Sequence, residues 1–101
     1  MTKPVIPQLT THKIIAFYLT EFVKNAELTG NNIISSVTIE TDIQRYAINN
    51  FSVFRLPTTY SRAFREIREK NLFPKFKITE LENPDIKSKV KYFKIERAKE
   101  N

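Results

Sequence analysis

Apolar side chains recur every three or four positions between Thr10 and Gly30, so Ile14, Ile15, Tyr18, Leu19, Phe22, Val23 and Ala26 share one face of a predicted helix. Thr10 or Thr11 can cap its start by accepting from a first-turn amide. Gly30, followed by two asparagines, ends it, because glycine takes a left-handed terminal conformation without steric cost. Residues 33–39, IISSVTI, are rich in β-branched side chains and predict a short strand. A second helix is predicted over about 40–50, with Ile39, Ile43, Tyr46 and Ala47 on one side. Thr41 with Gln44 three residues later has the form of a capping box, and Thr38 is a rival cap. An apolar connection, FSVFRLP at 51–57, leads to a third helix capped by Thr58 or Thr59.

The apolar stripe of that third helix, Tyr60, Ala63, Phe64 and Ile67, spans a sector of about 100°. Thr58, Arg62, Arg65 and Glu69 stand opposite, with Glu66 at their edge. Arg68 falls at the apolar margin, where its stem can lie along the core. Asn71 tolerates positive φ better than any residue except glycine and closes the helix. Leu72 and Phe73 are expected to return to the core, and Pro74 stops further helix.

Beyond Pro74 the period shortens to two. Phe76 and Ile78 alternate with Lys75, Lys77 and Thr79, ENPD at 82–85 signals a turn, and a second strand is predicted over about 89–96. Lys87, Lys89 and Lys91 repeat with strand spacing and should share one face, and Tyr92 and Phe93 cannot both face the core. The parse is an extended arm over 1–9 containing Pro4 and Pro7, one domain over 10–96, and a frayed tail over 97–101. Phe17, Phe22, Phe51, Phe54, Phe64 and Phe73 are expected in the core.

Composition narrows the chemistry. A chain of 101 residues with a net charge of +6 is one small α+β domain whose surface favours a polyanion. The charge excess grows along the chain, from +1 over 1–37 to +2 over 38–73 and +3 over 74–101. A single glycine excludes a glycine-rich phosphate loop, and the absence of cysteine excludes disulfides and thiolate zinc sites. The start, MTKPVIPQLT, has no apolar signal core, and no run of the sequence is long enough to span a bilayer, so an intracellular protein is expected. His12 is the one histidine and has no nucleophile at a suggestive spacing. Pro84-Asp85 with ERAK at 96–99 approaches a metal-nuclease pattern, but Lys99 lies three residues past Glu96 and strand alternation turns the two apart. No catalytic residue, metal site or cofactor is expected.

The order of helix, short strand, helix, arginine-bearing helix and two-stranded ribbon resembles a winged helix-turn-helix domain. The segment TTYSRAFREIREKNLFPKF resembles the reading helix and wing entry of that family. It is similar to modules of phage and mobile-element regulators and to the accessory DNA-reading domains of some restriction endonucleases. The connection of about seven residues before the third helix is longer than in a tight helix-turn-helix, and Asn71 stands where the family usually has glycine. The resemblance implies binding of double-stranded DNA, as a transcription regulator or a targeting module. Thr58, Thr59, Ser61, Arg62 and Arg65 would lie near base edges in the major groove, where an arginine fork suits guanine. Lys75, Lys77, Lys87, Lys89 and Lys91 would reach phosphates or the adjacent minor groove.

Competing readings use the same residues. Arg62 can pair with Glu66, and Arg65 with Glu69, as a solvated helix face, and lysines on the ribbon can protect a sheet edge. A winged helix can also serve as a protein-interaction module, with Phe54, Leu56 or Phe93 on the partner surface or with a second copy of the chain as partner. RNA is a third candidate ligand.

Overall fold

Helix α1 (Thr11–Thr29) begins where Thr10 Oγ1 accepts from the Lys13 amide at 3.2 Å. It ends at Gly30, whose φ of 78° lets its amide donate to the Ala26 carbonyl. Both ends follow from local chemistry, as expected. The computed structural model describes residues 9–83, 85 and 87–98, so most of the predicted arm (1–8) and of the tail (99–101) lies outside the described residues.

The second helix differs from expectation. Strand β1 is only Ile33–Ser35, and α2 (Ser36–Phe51) starts well before residue 40. Ser35 takes the capping position: its Oγ accepts from the Thr38 amide at 3.1 Å and donates to Thr38 Oγ1 at 2.8 Å. Neither Thr38 nor Thr41 caps the helix, and Thr41 bonds back to the Thr38 carbonyl at 3.0 Å inside it. The β-branched run Val37-Thr38-Ile39 therefore forms a first helical turn, because a satisfied cap and complete burial of Ile39 outweigh a weak strand propensity. Replacing Ser35 by alanine is expected to cost about 1 kcal/mol. Urea unfolding would measure it, and an unchanged midpoint would remove Ser35 as the cap.

Helix α2 closes at Ser52, with φ of 54°, and a link over 52–56 reaches α3 (Pro57–Lys70). That link is shorter than the seven residues expected, because Phe51 stays in α2 and Pro57 opens α3. Leu56 occupies the capping position and makes no side-chain bond, so Thr58 and Thr59 lie inside the first turn and do not cap it. Proline suits that first position, having no amide hydrogen to leave unsatisfied. Asn71, at φ of 49°, ends the helix as expected. Leu72, expected in the core, is 40% exposed, while Phe73 packs against it.

Strands β2 (Phe76–Leu81) and β3 (Tyr92–Arg97) form the C-terminal hairpin. With β1 they make a three-stranded antiparallel sheet in the order β1-β3-β2. The fold is α+β, three helices followed by a hairpin, with a winged-helix-like order. Because β3 is central, its Phe93 and Ile95 are buried against the helices while Tyr92 is exposed. Arg97 pairs with Phe76, and the Ala98 amide donates to the Lys75 carbonyl at 2.7 Å, so ordered pairing continues past residue 96.

The core joins Ile14, Ile15 and Leu19 of α1, Ile39 and Ile43 of α2, Tyr60, Phe64 and Ile67 of α3, and Phe93 and Ile95 of β3. Two phenylalanines expected there lie outside: Phe17 is 49% and Phe54 75% exposed. Phe17 sits off the buried stripe of α1 and meets the Phe51 ring at 5.6 Å. Phe54 alternates along the link with Val53 and Arg55, which turn inward, and Arg55 Nη2 donates to the Leu9 carbonyl at 3.2 Å. Among the described residues no helix is long and apolar enough to cross a membrane.

Candidate nucleic-acid interface

Arg62 and Arg65 are three residues apart, about 60° around the helix, and they open onto different concavities. Ser61, Arg65 and Arg68 of α3 line a groove of about 170 Å³ together with Ser36 and Ile39 of α2 and Lys89, Lys91 and Phe93 of the wing. A pair of bonds assembles it. The Ser36 amide donates to the Lys91 carbonyl at 2.7 Å, and the Lys91 amide donates to Ser36 Oγ at 3.1 Å. The chain entering β3 is thereby pinned to the start of α2, which sets Lys91 beside α3. Arg62 and Thr59 instead share a shallower concavity with Thr10, Thr11 and His12 at the start of α1.

Arg68 fastens α3 to the sheet. Its guanidinium carbon lies 4.4 Å from the Phe93 ring centroid and 5.2 Å from that of Phe64, and its Nη1 lies 3.4 Å from Glu80 Oε1. Burial pushes its pKa below the ordinary value, the Glu80 carboxylate opposes this, and neighbouring Arg65 adds to the lowering. The same Glu80 oxygen is 3.7 Å from Lys91 Nζ. The helical wheel already placed Arg68 at the apolar margin. Glu80 escaped the sequence reading, although its two-residue spacing from Phe76 and Ile78 puts it on their inward face.

The other site residues divide as follows. Thr58 is exposed in the first turn of α3. The i,i+4 ion pairs considered for Arg62 and Arg65 are not formed: among the described residues neither arginine has a carboxylate partner, and Glu66 instead meets His12 Nε2 at 3.1 Å. Lys75 is exposed just before β2. Lys77 pairs in register with Glu96, on the face opposite Ile78 and Ile95, so it points away from α3 and does not join the groove.

Lys87, Lys89 and Lys91 precede β3, so strand alternation does not order them as expected. The cause is local. The Asp85 amide donates to Asn83 Oδ1 at 2.9 Å, the Lys87 amide to Asp85 Oδ1 at 3.0 Å, and Asn83 Nδ2 to the Val90 carbonyl at 2.7 Å. These side-chain bonds hold an irregular loop in competition with a sheet ladder. Lys89 and Lys91 reach the groove from that loop, whereas Lys87 is exposed outside it.

Among the described residues no three His, Asp or Glu side chains converge as a metal site would require. No family model, no curated protein and no solved structure matches this chain.

Proposed function

We propose that the protein binds double-stranded DNA, as a regulator or as the targeting module of a larger system. Helix α3 enters the major groove with Thr58, Thr59, Ser61, Arg62 and Arg65 toward base edges, and the wing loop sets Lys89 and Lys91 on the backbone. The observation that carries this reading is the shared groove, where Ser61 and Arg65 of the helix stand with Lys89 and Lys91 of the wing. A helix of this kind fits a major groove about 12 Å wide. Arg62 and Arg65 have no carboxylate partner among the described residues, so their donors are available to bases or phosphates. The net charge of +6 supplies the long-range attraction.

Fluorescence anisotropy with a randomised duplex pool tests it. Log K is expected to fall linearly with log salt, with a slope near −0.9 for each phosphate engaged. Absence of binding at the lowest salt overturns the reading, and equal competition by duplex RNA of the same length moves it to RNA.

A second reading has its own observation. Phe54 and Leu56 are 75% and 65% exposed, two large apolar side chains two residues apart on the link before α3. A protein partner or a second copy of the chain would cover them. Phe93, at 1% exposure, is withdrawn from that surface. Self-association in sedimentation that a Phe54→Ser change abolishes would favour this reading.

A further inference from the structure

Glu80 stands cross-strand from Phe93 on the inward face of β2 and reaches toward α3. One of its oxygens lies within 3.4 Å of Arg68 Nη1 and 3.7 Å of Lys91 Nζ, so a single carboxylate bridges helix and wing at the edge of the groove that Arg65 and Lys89 also line. A phosphate oxygen makes the same charge-assisted contacts with the same donors. The two anions therefore compete.

The three side chains differ in freedom. Arg68 is 19% exposed and stacked on two rings, so it cannot follow an incoming ligand. Lys91 and Glu80 are 56% and 50% exposed, and lysine carries its charge on a flexible four-carbon stem. We infer that Glu80 is a built-in competitor for phosphate: in the free protein its carboxylate holds Lys91, and a bound phosphate displaces it and takes the lysine. The inference rests on the DNA-binding reading for the source of the phosphate, with free phosphate as the other source.

The arrangement lowers affinity for every backbone alike, because each duplex must displace the carboxylate before Lys91 contributes. Base contacts from α3 are unaffected, so their share in choosing a site increases. Exposed ion pairs are weak, so removing the competitor should tighten binding only about two- to fivefold. The salt slope should stay close to that of the wild type, because Lys91 neutralises one phosphate in either complex.

Glu80→Gln keeps the shape and removes the charge. Glu21→Gln is the control, making the same change in net charge on the solvent side of α1 beside Tyr46. Both variants and the wild type would be measured for duplex affinity at two salt concentrations. Each would also be titrated with inorganic phosphate while the amide shifts of Ser61, Arg65, Lys89 and Lys91 are followed. Tighter duplex binding for Glu80→Gln than for Glu21→Gln at both salt concentrations, with phosphate shifts at lower concentration, supports the competitor. Equal behaviour of the two variants overturns it. If no form binds duplex, the DNA reading falls, and the phosphate titration still decides: stronger phosphate binding by Glu80→Gln upholds the competition, and equal binding refutes it.

Discussion

Replacing Arg65, Lys89 and Lys91 together by alanine is expected to weaken duplex binding on the order of 100-fold, at roughly fivefold for each lost charged contact. The salt slope should become shallower by about 1.8, or 0.9 for each of the two phosphates that Lys89 and Lys91 no longer neutralise. All three side chains are exposed, so the fold should be unaffected within about 0.5 kcal/mol. The informative comparison is Lys75→Ala/Lys77→Ala. That variant also removes positive charge from the hairpin, but Lys77 lies on the sheet face turned away from α3. With only the screened general field lost, it should weaken binding by less than about threefold. An equal loss in both variants would place the nucleic acid on the outer face of the sheet and overturn the groove.

The contrast between those lysines shows how far the sequence could be read. Helix α1 was legible because its cap, stripe and terminator are all local. The start of α2 was not, since several hydroxyl side chains in succession could each cap it. What selects Ser35 includes the bonds between Ser36 and Lys91, partners far apart in the chain. The same contact explains the lysines. Tyr92 is the first paired residue of β3 because its neighbours, Ser35 of β1 and Leu81 of β2, are the last of theirs, so no ladder extends over Lys87, Lys89 and Lys91. Their spacing looked like a strand, but the partner strands needed to form one end too soon.

The face of α3 was legible from its 3.6-residue period, including the inward lean of Arg68. Which concavity each arginine serves was not, because that depends on where the wing loop and the start of α1 come to rest. Phe54 illustrates the opposite error. Counting phenylalanines as core ignores alternation along an extended link, where every second side chain turns outward whatever its chemistry.

Phe93→Ala should have the largest effect on stability. The ring is 1% exposed on the central strand, meets Phe64 edge-on at 5.3 Å and carries the Arg68 guanidinium at 4.4 Å. Truncating a buried phenylalanine typically costs about 3–5 kcal/mol, against a total near 5–15 kcal/mol for a domain of this size. The urea midpoint should fall steeply with the m-value unchanged. Phe93→Leu separates packing from the cation–ring contact: it restores most of the volume and should recover more than half of the loss, yet it offers Arg68 no aromatic face. The leucine variant should therefore remain folded while Arg68 loosens its hold on Glu80. If Phe93→Ala cost less than about 1 kcal/mol, β3 could not be the strand on which the helices close. The groove, which depends on Phe93 for its floor and on Arg68 for its edge, would lose its support with it.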